Sequence, residues 1–347
     1  MISQLRVCRW LVAICFLVLA AVARAQAPAT PAPGQCYAVL IGGLAGQQMY
    51  GDWYADWLAR FHTYLTQTAQ VPGANIIQLS GKDATFAAVT DAFTKLGQRA
   101  NAQDQLIVFI VGHGEINGPA PTLALPGPDP TAPQVAALLN AFPAKSQVIL
   151  NFGATSGDFL KYLSAPGRVN ISATSPTEEE EPVFTEFFLR GLESKRAANG
   201  TGAITLLESF NWAAQQTAQW IVRWAQTNTD ATKSSPSESS VWKASGKETV
   251  EIFKKLYAKA PTRKLDPTSD GNAADSPAVL EPPGGNITPD WANRRAVDEH
   301  ALLEDCGQGI GVSVMTDKGL LQPIVGLKPG DPGYLASRTV LGQPTQL

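Results

Sequence analysis

Between residues 37 and 174, apolar runs of strand length alternate with longer segments whose apolar residues recur every three or four positions. Leu106-Ile107-Val108-Phe109-Ile110-Val111 is the clearest such run. A strand of that kind offers no polar face to water, so both of its faces must be covered. Helices returning between successive strands provide the cover and leave the strands mainly parallel. The expected fold class is therefore α/β, a three-layer α/β/α sandwich. Strands are predicted at Tyr37–Gly42, Asn75–Leu79, Gln105–Gly112, Gln147–Phe152 and Val169–Thr174, with helices at Asp52–Ala69, Ala84–Arg99, Pro133–Phe142, Ser156–Leu163 and Val183–Ser194. A longer helix from Ile204 to about Asn228 carries Leu207, Phe210, Ala214, Thr217, Ile221 and Trp224 on one face.

The rest of the chain divides by composition. Arg6 and Arg9 precede an apolar run from Leu11 to Ala23 that closes on Ala23-Arg24-Ala25, the layout of a cleaved secretory leader over residues 1–25. The run is shorter than the ~20 apolar residues that span a bilayer, so no integral membrane span is expected once the leader is removed. Residues 26–35 form a Pro/Ala tether and 36–228 the folded domain. Residues 229–297 are a low-complexity linker or insertion containing a short amphipathic helix at Glu248–Lys259, and 298–347 regain apolar spacing and pack back on the domain. The expected location is secreted or periplasmic.

The formal net charge is −3 and becomes more negative when the leader's arginines are lost, which leaves no basic surplus for nucleic acid. Cys8 and Cys15 leave with the leader, so Cys36 and Cys306 remain in the mature chain. Two thiols and the scattered His62, His113 and His300 do not make a metal site, and no cofactor is expected. Gly42-Gly43-Leu44-Ala45-Gly46 lacks the glycine spacing of a dinucleotide loop. Glu178–Glu181 reads as a solvated loop. Asn170, Asn199 and Asn286 lie in sequons that chance explains.

In an open α/β sheet, functional groups gather beyond the carboxyl ends of the strands. Two ends stand out. The third strand runs into Gly112-His113-Gly114-Glu115. The fourth runs into Asn151-Phe152-Gly153-Ala154-Thr155-Ser156-Gly157-Asp158, a small-residue turn opening a helix. Ser156 is either a nucleophile or the N-cap of that helix.

These motifs resemble those of the caspase/legumain-like (clan CD) cysteine peptidases, in particular the bacterial secreted legumain-like branch. In that superfamily a strand ending in His-Gly supplies the catalytic histidine, and the next strand ends in a Cys-x-Ser-Gly-like motif supplying the nucleophile. His113-Gly114 matches the first, and Ala154-Thr155-Ser156-Gly157 the second, with Ala154 standing where cysteine would be. Gly42–Gly46, Leu123–Asp129 and Gly167–Thr174 also fit the branch, and the resemblance resumes at His300. It implies an exported peptidase fold that has lost its nucleophile, a pseudopeptidase binding a peptide or protein ligand in the crevice between the two strand tips. Two alternatives remain: a hydrolase using Ser156 or Thr155 with His113, and a cell-envelope scaffold. The tail His300–Gly309 resembles an acidic, ion-organised turn of the same branch, in which Cys306 and Gln308 replace two ligands. A Cys36–Cys306 disulfide in place of the ion is the expectation that follows.

Overall fold

The computed structural model describes residues 34–174, 182–193, 204–227, 301–305, 328 and 334–343. The chain divides into Met1–Pro33, outside the described residues, and Gly34–Leu347. The proposed leader and tether, the helix at Glu248–Lys259 and Cys306 also lie outside them, apart from the tether's last two residues.

Strands β1 (Cys36–Gly42), β2 (Ile76–Ser80), β3 (Gln105–Val111), β6 (Ser146–Asn151), β7 (Arg168–Ser172) and β8 (Leu302–Glu304) form one sheet in the order β2-β1-β3-β6-β7-β8. All pairs are parallel except β7 with β8. The two-residue strands β4 (Gly114–Glu115) and β5 (Thr122–Leu123) make a separate antiparallel hairpin. The helices are α1 (Gln48–Thr63), α2 (Phe86–Gly97), α3 (Ala132–Ala141), α4 (Ser156–Leu163), α5 (Phe184–Glu193) and α6 (Leu206–Thr227).

The three layers follow from the two-residue period of the strands. Cys36, Ala38 and Leu40 of β1 face a core built with Trp53, Trp57 and Phe61 of α1, Phe184, Phe187 and Phe188 of α5, and Phe210 of α6. Tyr37, Val39 and Ile41 face the opposite core, with Val89, Phe93 and Leu96 of α2, Leu139 of α3 and Phe159 of α4. The α/β/α sandwich with a mainly parallel sheet is thus the observed fold.

Segment 334–343 ties distant parts of the domain together. Asp305 Oδ2 accepts from the amides of Leu335 (2.7 Å) and Ala336 (3.2 Å), Leu206 N donates to Thr339 O (3.0 Å), and Gly342 N donates to Gln105 Oε1 (3.2 Å). Glu304, fully buried, accepts from Asn170 Nδ2 (3.1 Å). Both acidic side chains among the tail's described residues therefore serve protein donors.

The expected Cys36–Cys306 disulfide is not formed at Cys36, which is a free, buried thiol. The returning chain joins the sheet at the β7 edge. That is four strand positions from β1, about 19 Å at ordinary sheet spacing. Cys36 Sγ instead donates to Gln105 Oε1 at 3.6 Å. Burial, reinforced by Asp104 and partly offset by the Gly342 amide, pushes its pKa up to about 12. Cys36 is expected to resist iodoacetamide at pH 8 in the native protein and to react at once in denaturant. Peptide mapping after alkylation checks this, and native-state labelling at the rate of free cysteine would refute it.

Candidate functional site at the strand tips

Three parallel strands, β1, β3 and β6, end side by side and keep tracking one another beyond the sheet. Gly43 N donates to Val111 O (2.8 Å), Phe152 N to Ile110 O (2.8 Å) and Ala154 N to Gly112 O (3.2 Å). Such close main-chain approach needs residues without side chains. A Cβ on Gly43 would lie 2.7 Å from Ala124 O, one on Gly112 would lie 3.0 Å from Gly43 Cα, and one on Gly153 would overlap Gly112 O. Three glycines from three strands thus make a main-chain floor.

His113 stands at the end of this floor, half-buried. Its ring is held from three sides. Nε2 lies 2.7 Å from Ala45 O. A carbonyl only accepts, so this contact assigns the ring proton to Nε2. Tyr50 and Tyr54, one turn apart on α1, set their rings edge-to-face against the imidazole at centroid distances of 5.4 and 6.3 Å. Gly46, at φ 65°, passes close enough that a Cβ there would sit 3.3 Å from Nε2. The His113 main chain is fixed as well, its amide donating to Leu44 O (3.4 Å) and its carbonyl accepting from Ala124 N (2.9 Å).

The tip of β6 meets the residue after His113. A Cβ on Gly114 would overlap Thr155 Oγ1 and lie 2.6 Å from Ala154 O. Four of the residues singled out in the sequence, His113, Gly114, Ala154 and Thr155, are therefore brought together. Ala154 is buried, 3% exposed, and its side chain is a methyl. Thr155 is fully buried in the left-handed region at φ 59°, and its Oγ1 has no hydrogen-bond partner.

Ser156 belongs to a different set of contacts. Its Oγ accepts from the amides of Ala173 (3.1 Å) and Thr174 (3.2 Å) and shares a hydrogen bond with Thr174 Oγ1 (3.0 Å). The same threonine hydroxyl accepts from Gly157 N (3.1 Å). Ser156 is the first residue of α4, not its N-cap, and its hydroxyl clasps the helix to the end of β7. The N-cap is Thr155, which makes no side-chain cap.

Sequence reasoning missed Ala45, Tyr50 and Tyr54 around the imidazole, and Thr174 as the partner of Ser156. The tyrosines' four-residue spacing was a readable signal for one helical face. Nothing local pointed to Thr174. Among the described residues no three His, Cys, Asp or Glu side chains gather in a metal-binding group, and no helix there is long and apolar enough to cross a membrane.

No protein-family model matches the chain, and no curated protein matches it. Among solved structures it is similar to protein GSU0716 of Geobacter sulfurreducens, at 15% identity over 52% of this chain and 89% of that one, TM-score 0.39. It is similar to the Drosophila initiator caspase Dronc at 11% identity, over 53% and 72% of the two chains, TM-score 0.37. It is also similar to a secreted C11 cysteine protease of Bacteroides thetaiotaomicron at 12% identity, over 55% and 71%, TM-score 0.30.

Proposed function

We propose that this protein is an exported, caspase/legumain-like pseudopeptidase that binds a peptide or protein segment at the tips of β3 and β6 without cleaving it. The observation that carries the reading is the pairing of His113-Gly114 with a strand tip whose nucleophile position is Ala154. A thiolate there would attack a carbonyl while the imidazole moved the proton; a methyl group has no lone pair to donate. In a worked serine protease, loss of the nucleophile costs roughly 10⁶ in turnover.

The contacts of the two hydroxyls argue against a substitute nucleophile. Ser156 Oγ accepts two amide hydrogens of the β7 end and is 1% exposed. Thr155 Oγ1 has no hydrogen-bond partner, so no base is aligned to take its proton. Export rests on the leader composition of residues 1–25, and places the protein in the periplasm or outside the cell.

A peptide library read for both cleavage and retention on the purified mature protein tests the proposal. Retention of a peptide subset with no cleavage above a heat-treated control is expected. Cleavage that His113→Ala abolishes, or labelling of Thr155 or Ser156 by a serine-directed probe, would overturn the pseudoenzyme reading. Absence of both cleavage and retention would overturn the binding reading.

A further inference from the structure

The β4–β5 hairpin sits directly on the turn from β6 into α4, and what it covers is unfavourable to cover. Thr155 and Gln70 are the two non-glycine residues with positive φ among the described residues. For a β-branched side chain that conformation is strained. Its Oγ1 is buried with no hydrogen-bond partner, so it has lost water and gained nothing. Gly114, the first residue of β4, closes the space above it, and only because residue 114 has no Cβ.

The covering element is itself slight. Each strand has two residues. Its ties to the rest of the domain are Ala124 N to His113 O, Leu123 N to Pro130 O, Ala132 N to Pro121 O, Leu44 N to Ala124 O, the bridge between Thr122 and Thr131, and Tyr162 Oη to Pro119 O. Glu115 is exposed, and Asn117, Gly118 and Pro119 in the connecting loop are exposed as well. Leu123 is its one residue in the hydrophobic core, and a unit anchored so narrowly opens at lower free energy than the sheet beside it. Below it lie a strained residue and an unpartnered hydroxyl that gain from its opening.

We propose that the β4–β5 hairpin is a lid with a second, lifted position. Lifting gives water or a ligand access to the Thr155 hydroxyl and the Ala154 carbonyl oxygen, a donor and an acceptor side by side. The closed hairpin excludes both, so entry to the strand-tip crevice is gated by main-chain movement. The lid does not depend on the crevice binding peptide, and its test uses no ligand.

Hydrogen exchange on the full chain decides it. In the wild type the Leu123 and Ala124 amides are expected to exchange faster than those of β3, through local opening. Thr155→Val keeps the shape and removes the hydroxyl, so hairpin protection should rise roughly tenfold, the usual consequence of relieving one buried unsatisfied polar group. Gly114→Ala should act oppositely, stripping protection from the hairpin while β1 and β3 keep theirs. Three results would overturn the proposal: wild-type hairpin amides as protected as those of β3, hairpin exchange unchanged or faster in Thr155→Val, or a Gly114→Ala loss spread evenly over the sheet. Should Gly114→Ala fail to fold, the Thr155→Val comparison still decides.

Discussion

Glu186→Ala is expected to destabilise the fold by about 3 kcal/mol, the low end of the cost of breaking a buried pair, because Arg60 keeps Asp56 and Glu193. Glu186 lies on α5 with its side chain 5% exposed. Its Oε2 accepts from Arg60 Nη1 (2.6 Å) and Trp57 Nε1 (3.0 Å), and its Oε1 from Arg190 Nε (2.6 Å). One carboxylate thus joins α1 to α5 and pairs with two guanidiniums. Arg60 also forks onto Glu193 at 2.8 and 2.9 Å, but Glu193 is 40% exposed and that pair contributes less than about 1 kcal/mol. Urea unfolding of Glu186→Ala beside Glu193→Ala measures the contrast, and equal midpoints would refute it.

The same carboxylate fixes a pH dependence. Burial works against its ionisation. The Arg60 and Arg190 charges, with the hydrogen bonds from Arg190 and Trp57, outweigh burial and hold the pKa below the ordinary value. A folded pKa lower than the unfolded one, near 4.3 for a glutamate at about model-peptide conditions, means the stabilisation is complete above that pH. It is lost as pH falls through the lowered folded value. Glu186→Gln should therefore lose stability at neutral pH and show a shallower fall than the wild type below about pH 4.

Gly153→Ala is expected to cost as much as severe over-packing does, at the top of the about 1–3 kcal/mol range or beyond. The added Cβ would overlap the carbonyl oxygen of Gly112. Gly112 cannot retreat, because a Cβ on its far side would already lie 3.0 Å from Gly43 Cα, which marks how closely the two backbones pass. The strand tips must then part, breaking the Ala154 N to Gly112 O bond. Thermal unfolding checks the loss. Gly73→Ala, where a new Cβ meets nothing within 4 Å, is the control, and a similar melting temperature for the two variants would contradict the close-packed floor.

The strands were legible because apolar runs such as Leu106–Val111 mark burial on both faces, and their observed ends fall within one or two positions of the expected ones. The first helix starts at Gln48, not Asp52. Gly51 reads as a breaker, yet in the helix a Cβ there would meet only Ala45, at 3.7 Å. That helix also ends earlier than its apolar spacing implies, passing into a π-helical turn at Tyr64–Thr68. Strands β4, β5 and β8 were not legible. Two or three residues carry no period, and β8 exists only because β7, far back in the chain, offers an edge. Of the site, strand-tip reasoning placed His113, Gly114, Ala154 and Thr155 together. The role of Ser156 was hidden, since its partners belong to the end of β7. The Arg60–Glu186–Arg190 cluster was hidden too, since charge identity alone does not reveal burial between two helices.

Two points of the chain, Thr227 at the end of α6 and Leu302 at the start of β8, are both fixed in the domain, with Asp305 and segment 334–343 holding the second. A segment joining two points fixed in one body is, in polymer terms, a closed ring. The entropy of closing such a ring grows only with the logarithm of its length, so doubling it costs about 0.6 kcal/mol. Changing the length of chain between two such points costs a domain less than one misplaced methyl in its glycine floor.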